Sequence, residues 1–179
     1  MAKKHPNNYC EFVAELEPSN VHRIYHDTQY GFPINDDNEL FGRLLLEINQ
    51  AGLSWTTILN KQKNFRNAYS AFNIQKVANY NKKDIAKLLK NSGIIRNKLK
   101  VNAAIYNANK ILVIQMEFGS FELWLKKNNK LSLVKWVKLF KQTFKFTGPE
   151  ITKEFLISTG IIKGAHTINC PTFKKLIKA

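Results

Sequence analysis

Glu47 and Trp55 flank the run Gln50-Ala51-Gly52-Leu53-Ser54. A carboxylate set among apolar residues beside an indole is costly to bury and demands a partner. Brought together, a carboxylate and π faces can hold a flat, positively charged base. Phe12, Tyr25 and Tyr30 are further aromatics for such a slot, and the polar neighbourhood of Tyr25 favours a site over plain core. The competing reading places Glu47 at the edge of its stripe, reaching water as charged residues often do, with Trp55 in ordinary core.

A second constellation joins the two ends of the chain. His166 and Cys170 have His-x3-Cys spacing, which puts both donors on one helical or turn face. Cys10 and His26 can complete a tetrahedral set, since zinc accepts thiolate and imidazole together. Four protein ligands leave no position for water, so such an ion is structural. His22 is a rival ligand by spacing. Two free buried thiols are the bland alternative, and a Cys10–Cys170 disulfide would be unusual in a cytosolic protein.

The elements that must position these groups read as helices throughout. Residues 1–35 carry no long helical pattern; Pro18-Ser19-Asn20 starts a short helix to about Asp27, and Gly31 and Pro33 punctuate the chain. Asp36 and Glu39 have capping-box spacing at the head of a helix running to Ala51. Its stripe is Leu40, Leu44, Glu47, Ile48 and Ala51. Gly52 can close that helix in the left-handed conformation, and Ser54 is a ready N-cap for the next. That second helix runs from Trp55 to about Ser70, so a tight turn can bring Trp55 near Glu47. Val77 to Tyr80 makes at most a short helix.

A helix from Lys83 or Asp84 to about Lys90 or Asn91, the break 92–97 and a long helix with the face Val101, Ala104, Ile105, Ala108, Ile111, Leu112 and Gln115 follow. This has the shape of a helix-hairpin-helix unit. The N–H groups of Gly93, Ile94 and Ile95 and the next helix N-terminus could hold a phosphate, with Arg96, Lys98 and Lys100 adding charge where a DNA backbone would lie. An ordinary connection between two helices fits the same pattern. Phe121 to Lys127, then Leu133 to Phe144, and finally Thr147-Gly148-Pro149-Glu150 to about Gly160 supply three more helices, Pro149 suiting a first helical position. No alternating strand pattern competes. The expectation is an all-α chain without repeats or linkers.

Charge bounds the partners. Twenty-eight Lys and Arg against 13 Asp and Glu leave +15 over 179 residues. That excess attracts polyanions, nucleic acid first among them, although widely spread Lys and Asn also fit a lysine-rich genome. No apolar run approaches the ~20 residues of a membrane span. Met1-Ala2-Lys3-Lys4-His5-Pro6 leads into polar residues and no apolar segment. A soluble, cytoplasmic, monomeric protein is expected.

Tyr25-His26-Asp27-x-x-Tyr30-Gly31, Gln50-Ala51-Gly52-Leu53-Ser54-Trp55, Gly93-Ile94-Ile95-Arg96 and Phe144-Lys145-Phe146-x-Gly148 occur in this order. Together they resemble the 3-methyladenine DNA glycosylase I family, over nearly the whole chain from Cys10 to Cys170. The resemblance implies an all-helical member of the helix-hairpin-helix glycosylase superfamily. It implies one domain over 1–179, with a core over 36–160, a hairpin near 91–97, and segments 1–35 and 161–179 clasped by one zinc on Cys10, His26, His166 and Cys170. By the same resemblance Glu47 is the pocket carboxylate, and Tyr25 and Trp55 hold the excised base, with Tyr30, His22 and Phe12 beside them. The implied reaction is hydrolysis of the N-glycosidic bond of 3-methyladenine in alkylated duplex DNA after base flipping. Lyase chemistry is not implied, and no lysine stands out as a Schiff-base nucleophile. The alternative is a non-catalytic binder of alkylated DNA with the same fold.

The chain departs from the family pattern at several points. Gln29 and Tyr30 stand where Glu and Trp are usual, His22 where a pocket tyrosine is common, and Phe12 where a tryptophan follows the first cysteine. The interval from Cys10 to His26 is a few residues longer. Gln29 and Tyr30 leave the slot aromatic but smaller.

Overall fold

A computed structural model describes residues 8–176, so the polar leader Met1 to Pro6 lies outside the described residues. Among those residues there is no strand. The helices are α1 (Tyr9–Ala14), α2 (Val21–Thr28), α3 (Asp37–Gln50), α4 (Trp55–Ala68), α5 (Ile74–Ala78), α6 (Lys82–Lys90), α7 (Lys98–Phe118), α8 (Phe121–Lys127), α9 (Leu133–Thr143), α10 (Pro149–Ser158) and α11 (Pro171–Leu176). A short 3₁₀ turn, Ser70–Phe72, sits between α4 and α5. The first and last helices have only six residues each, too short to leave a periodic pattern.

α3 is the hub. The expected stripe is in fact a full circumference: every residue from Leu40 to Asn49 is buried. The reason is packing on all sides, since α4, α5, α7, α8 and α10 all contact it. Polar side chains on its first turn fasten those neighbours. Asp37 accepts from the Phe121 and Glu122 N–H groups at 2.8 and 2.9 Å, at the head of α8, and from Gln115 Nε2 at 2.7 Å. Asn38 accepts from the Ile74 N–H at the head of α5. Asp36 caps the Glu39 N–H, but Glu39 pairs with Arg66 of α4 instead of returning to close the box. Asn81 and Asp84 do form that reciprocal pair at α6. Aromatic rings of α8, α9 and α10 close the far side, with Phe121 stacked on Phe155 and Trp124 edge-on to Trp136.

The bend after α3 is built as its sequence requires. Gly52 takes φ +82 with open space where a Cβ would lie, so conformation alone selects glycine. Ser54 accepts from the Thr57 N–H and starts α4. Lys100 completes the bend. It lies in the first turn of α7, only 7% exposed, and its Nζ donates to the Asn49 and Ala51 carbonyls at 2.9 and 2.8 Å. A cation on the last carbonyls of a helix satisfies orphan acceptors and opposes the helix dipole. This corrects the expectation that Lys100 presents charge outward beside Arg96 and Lys98.

Lys100→Met keeps the stem and removes the ammonium that the Asn49 and Ala51 carbonyls share, the first bond buried and the second partly buried. We expect it to lower unfolding stability by about 2 kcal/mol, measured by denaturant titration. An unchanged midpoint would mean that water replaces Nζ freely.

Candidate active site

Glu47, Tyr25, Tyr30 and Trp55 line one cavity of about 310 Å³. α3 brings the carboxylate, α2 brings Tyr25, and the Gly52 bend swings Trp55 back across the opening. Tyr25 meets Trp55 edge-on at 5.3 Å between ring centres and Tyr30 at 5.7 Å. His22 is also in the wall. Its Nδ1 bonds the Tyr9 hydroxyl at 3.0 Å and its Nε2 the Thr56 hydroxyl at 2.8 Å. Burial holds its pKa below the ordinary value, so the ring stays neutral near pH 7, one nitrogen donating and the other accepting.

Sequence reasoning missed Tyr9, Gln50 and Glu154, which line the same cavity. Tyr9 precedes a candidate metal ligand, the one signal that could have found it. Phe12, expected in the wall, is not there. It stacks on Tyr9 and meets His22 edge-on, because α1 turns Tyr9 toward the cavity and leaves Phe12 behind it. A larger cavity of about 770 Å³ includes Gly42, Arg43 and Gln62 in its wall. Its acidic members, Asp36 and Glu39, are spent on capping and on Arg66, so no buried carboxylate faces it.

Glu47 is 4% exposed, which excludes the reading in which it reaches water. Burial is the main cause that pushes its pKa up to about 7; Arg43 opposes the rise, Glu154 adds to it, and a hydrogen bond from Ser158 lowers it. Ser158 Oγ donates to Glu47 Oε1 at 3.4 Å. Arg43 is buried too, but its Nη1 donates to the Tyr25 hydroxyl at 2.8 Å and to the Ser158 carbonyl at 3.4 Å. The carboxylate therefore has a nearby positive charge without an ion pair to it. Such a site favours a cationic guest over an empty state.

The four donors expected at the termini do converge. His26 Nε2, His166 Nδ1 and the Sγ atoms of Cys10 and Cys170 all lie within 4.8 Å of one another, an arrangement able to hold a metal ion. His22, the rival, faces the cavity instead. The second nitrogens are fixed: His26 Nδ1 meets Asp27 Oδ1 at 2.7 Å, and His166 Nε2 meets the Tyr30 carbonyl at 2.7 Å. Asp27 also accepts from Arg23 and Thr172. Partners of this kind set the tautomer and ring direction of a ligating histidine. Gly31 lets the segments meet, since a Cβ there would stand 2.4 Å from Ala165 Cβ.

The turn between α6 and α7 differs in detail from expectation. The Gly93 N–H is taken by Asn91 Oδ1 at 2.8 Å, and the Ile94 N–H reaches the Asn91 carbonyl. Asn97 caps the Leu99 and Lys100 N–H groups. Of the three N–H groups expected to be free, only that of Ile95 has no hydrogen bond among the described residues. Ile94 is buried as an anchor, while Arg96 and Lys98 are exposed. Space is tight at Gly93, where a Cβ would stand 3.0 Å from Asn91 Oδ1 and 3.2 Å from Asn64 Cβ.

A family model described as methyladenine glycosylase matches residues 15–136. DNA-3-methyladenine glycosylase 1 of Escherichia coli (strain K12) is 31% identical over 90% of this chain and 94% of its own length. The DNA-3-methyladenine glycosylase of Haemophilus influenzae is 31% identical over 90% of this chain and 96% of its own. Among solved structures, a single-residue variant of 3-methyladenine DNA glycosylase I in complex with 3-methyladenine aligns with TM-score 0.83. It is 31% identical and covers 92% of this chain and 97% of that one.

Glu47 gives a stability prediction whose sign is unusual for a carboxyl. Its folded pKa of about 7 stands above the ordinary 4.5, so its contribution to stability is fully present below about pH 4.5 and is lost as pH rises through 7. At pH 8 the buried charge opposes folding. Glu47→Gln should therefore be more stable than the parent at pH 8 by on the order of 2–3 kcal/mol and nearly equal at pH 4. Chemical denaturation at both pH values measures this; a variant less stable at pH 8 contradicts the burial argument.

Proposed function

The chain belongs to the methyladenine glycosylase family, and on that premise we propose that it removes 3-methyladenine from alkylated duplex DNA by hydrolysing the N-glycosidic bond. The observation that carries this reading is the buried Glu47 carboxylate, held by Ser158 but in no ion pair, facing a cavity walled by Tyr25, Tyr30 and Trp55.

Methylation at N3 makes the attached base a cation, so its bond to the sugar is already weak. The nucleotide leaves the stack and its base enters the cavity, with rings against its faces and Glu47 accepting from its amino edge. As the bond breaks, its electron pair returns to the base, which leaves as neutral 3-methyladenine without needing a proton. Water adds to the sugar carbon and gives up a proton. The buried negative charge stabilises positive charge along this path because little solvent screens it. No lysine is among the residues that line the cavity, in keeping with hydrolysis without lyase chemistry. The duplex backbone would lie on the α6–α7 turn, a helix-hairpin-helix unit here, with Ile95 N–H, Arg96 and Lys98 toward phosphates and Gly93 and Ile94 shaping the turn. The whole forms one domain: the core over 36–160 and the clasped segments around it. It acts as a monomer in the cytoplasm, and no helix among the described residues is long and apolar enough to cross a membrane.

Zinc is the ion we assign to the four donors. Bonds of about 2.0 Å to nitrogen and 2.3 Å to sulfur in a tetrahedron separate ligands by roughly 3.3–3.8 Å. The donor pairs fall at 3.1 Å for the two nitrogens and 3.4 to 3.8 Å for nitrogen–sulfur. Such an ion would hold α2 to the segment after α10. Metal analysis of fresh protein should give one zinc per chain, lost in Cys170→Ser or His166→Ala; protein without zinc would refute the assignment.

The function itself is tested on methylated duplex DNA by chromatography of the released base. The parent should free 3-methyladenine, and Glu47→Gln and Trp55→Ala should each slow release by about 10- to 100-fold while remaining folded. Normal release by both variants would remove the cavity from the reaction. Retention of duplex by the parent with no base freed would make it a binder of damaged DNA.

A further inference from the structure

The reaction as read above employs one carboxylate, but two line the cavity. Glu154 lies on α10 one helical turn before Ser158, the residue that donates to Glu47. Residues spaced by four share a helix face, so the face of α10 that meets Glu47 also carries Glu154. The Tyr30 hydroxyl donates to Glu154 Oε2 at 3.4 Å, fixing the second carboxylate against an aromatic wall. No ion pair to Glu154 forms among the described residues. It has no capping role either, because α10 begins at Gly148 and Pro149.

The charge balance of the cavity follows. Arg43 is buried behind Tyr25 and gives its hydrogen bonds to Tyr25 and Ser158. With both carboxylates ionised, two negative charges line the cavity, against Arg43 behind Tyr25 and Lys153, which neighbours Glu154 without lining the cavity. A second carboxylate of this kind adds nothing for a neutral purine, whereas a cationic one is attracted by both. Glu154 is also among the causes, after burial, that hold the Glu47 proton to about pH 7, so each carboxylate of the empty cavity opposes ionisation of the other.

We infer that Glu154 is a specificity-determining residue: with Glu47 it makes a two-carboxylate slot that selects purine bases by positive charge as well as by shape. The inference rests on the proposed glycosylase reading, and it extends that reading from a single acidic residue to a pair. Tyr30 is its positioning residue, holding the second carboxylate at the wall.

The test uses two free ligands of closely similar shape, 3,9-dimethyladeninium as the permanent cation and 3-methyladenine as the neutral base. Binding to the full chain is followed through Trp55 fluorescence at pH 8. Glu154→Gln, which keeps size and a hydrogen-bond acceptor for Tyr30, should lose about tenfold in affinity for the cation while its affinity for the neutral base stays within about twofold. Glu154→Asp should retain the preference. Equal losses for both ligands, no loss for either, or loss of preference in both variants would overturn the inference. Base release from methylated DNA by the parent is measured in parallel. A parent that frees no base refutes the glycosylase reading, whereas a parent that frees base alongside a Glu154→Gln variant with unchanged preference refutes the inference alone.

Discussion

Glu47 carries an ionisable group into the most enclosed helix of the fold, and its surroundings must supply what water no longer does. They do so incompletely. Ser158 gives one long hydrogen bond, and Arg43 gives a nearby charge whose donors are committed elsewhere. The shortfall is a standing cost to the folded chain, and it is also what makes a positively charged guest welcome. Much of the architecture around α3 can be understood as support for that arrangement: neighbours on every side exclude solvent, and the caps from Asp37 and Asn38 fix those neighbours in place.

The cavity and the metal-ligand cluster are two faces of the same short segment. Along α2, Tyr25 turns to the cavity while His26, the next residue, turns to the cluster. Tyr30 serves both at once, with its ring in the cavity wall and its carbonyl on His166. An ion held by the four donors would therefore bear on the ring that faces Glu47, although none of the donors lines the cavity. In the other direction, Lys100 ties the start of α7 to the end of α3, so the α6–α7 turn and the Gly52 bend share one rigid joint.

Part of this was legible in the sequence. Gly52 and Ser54 fix the bend because each has a backbone task that few residues perform, and with the bend comes the approach of Trp55 to Glu47. The convergence of Cys10, His26, His166 and Cys170 was readable from donor chemistry, although the choice between His22 and His26 was not, since both sit on α2 one turn apart. What failed was whatever depended on orientation. Periodicity assigned α3 one apolar stripe, but Arg43 and Asn49 are buried too, Arg43 by tertiary hydrogen bonds that no pattern announces and Asn49 with its amide turned back onto the Leu45 carbonyl. Lys100 resembled the chain's many other lysines until its Nζ was seen on two carbonyls. Phe12 and Tyr9 lie on one short helix whose rotation decides which ring reaches the cavity, and six residues carry too little amphipathic signal to decide it.

Tyr9 reaches the cavity from a helix whose next residue, Cys10, meets His166, 156 positions later in the chain. Synthesis proceeds from the first residue to the last, so a growing chain already holds the acidic side chain and most of the aromatic rings long before that junction can close. Until His166 and Cys170 emerge, the helix that brings Tyr9 into place is held to α2, through the Tyr9 hydroxyl on His22 and through Arg23 on the carbonyls of Val13, Ala14 and Leu16. The junction of the four donors is thus among the last parts of the chain that synthesis can complete, after every residue that lines the cavity has emerged.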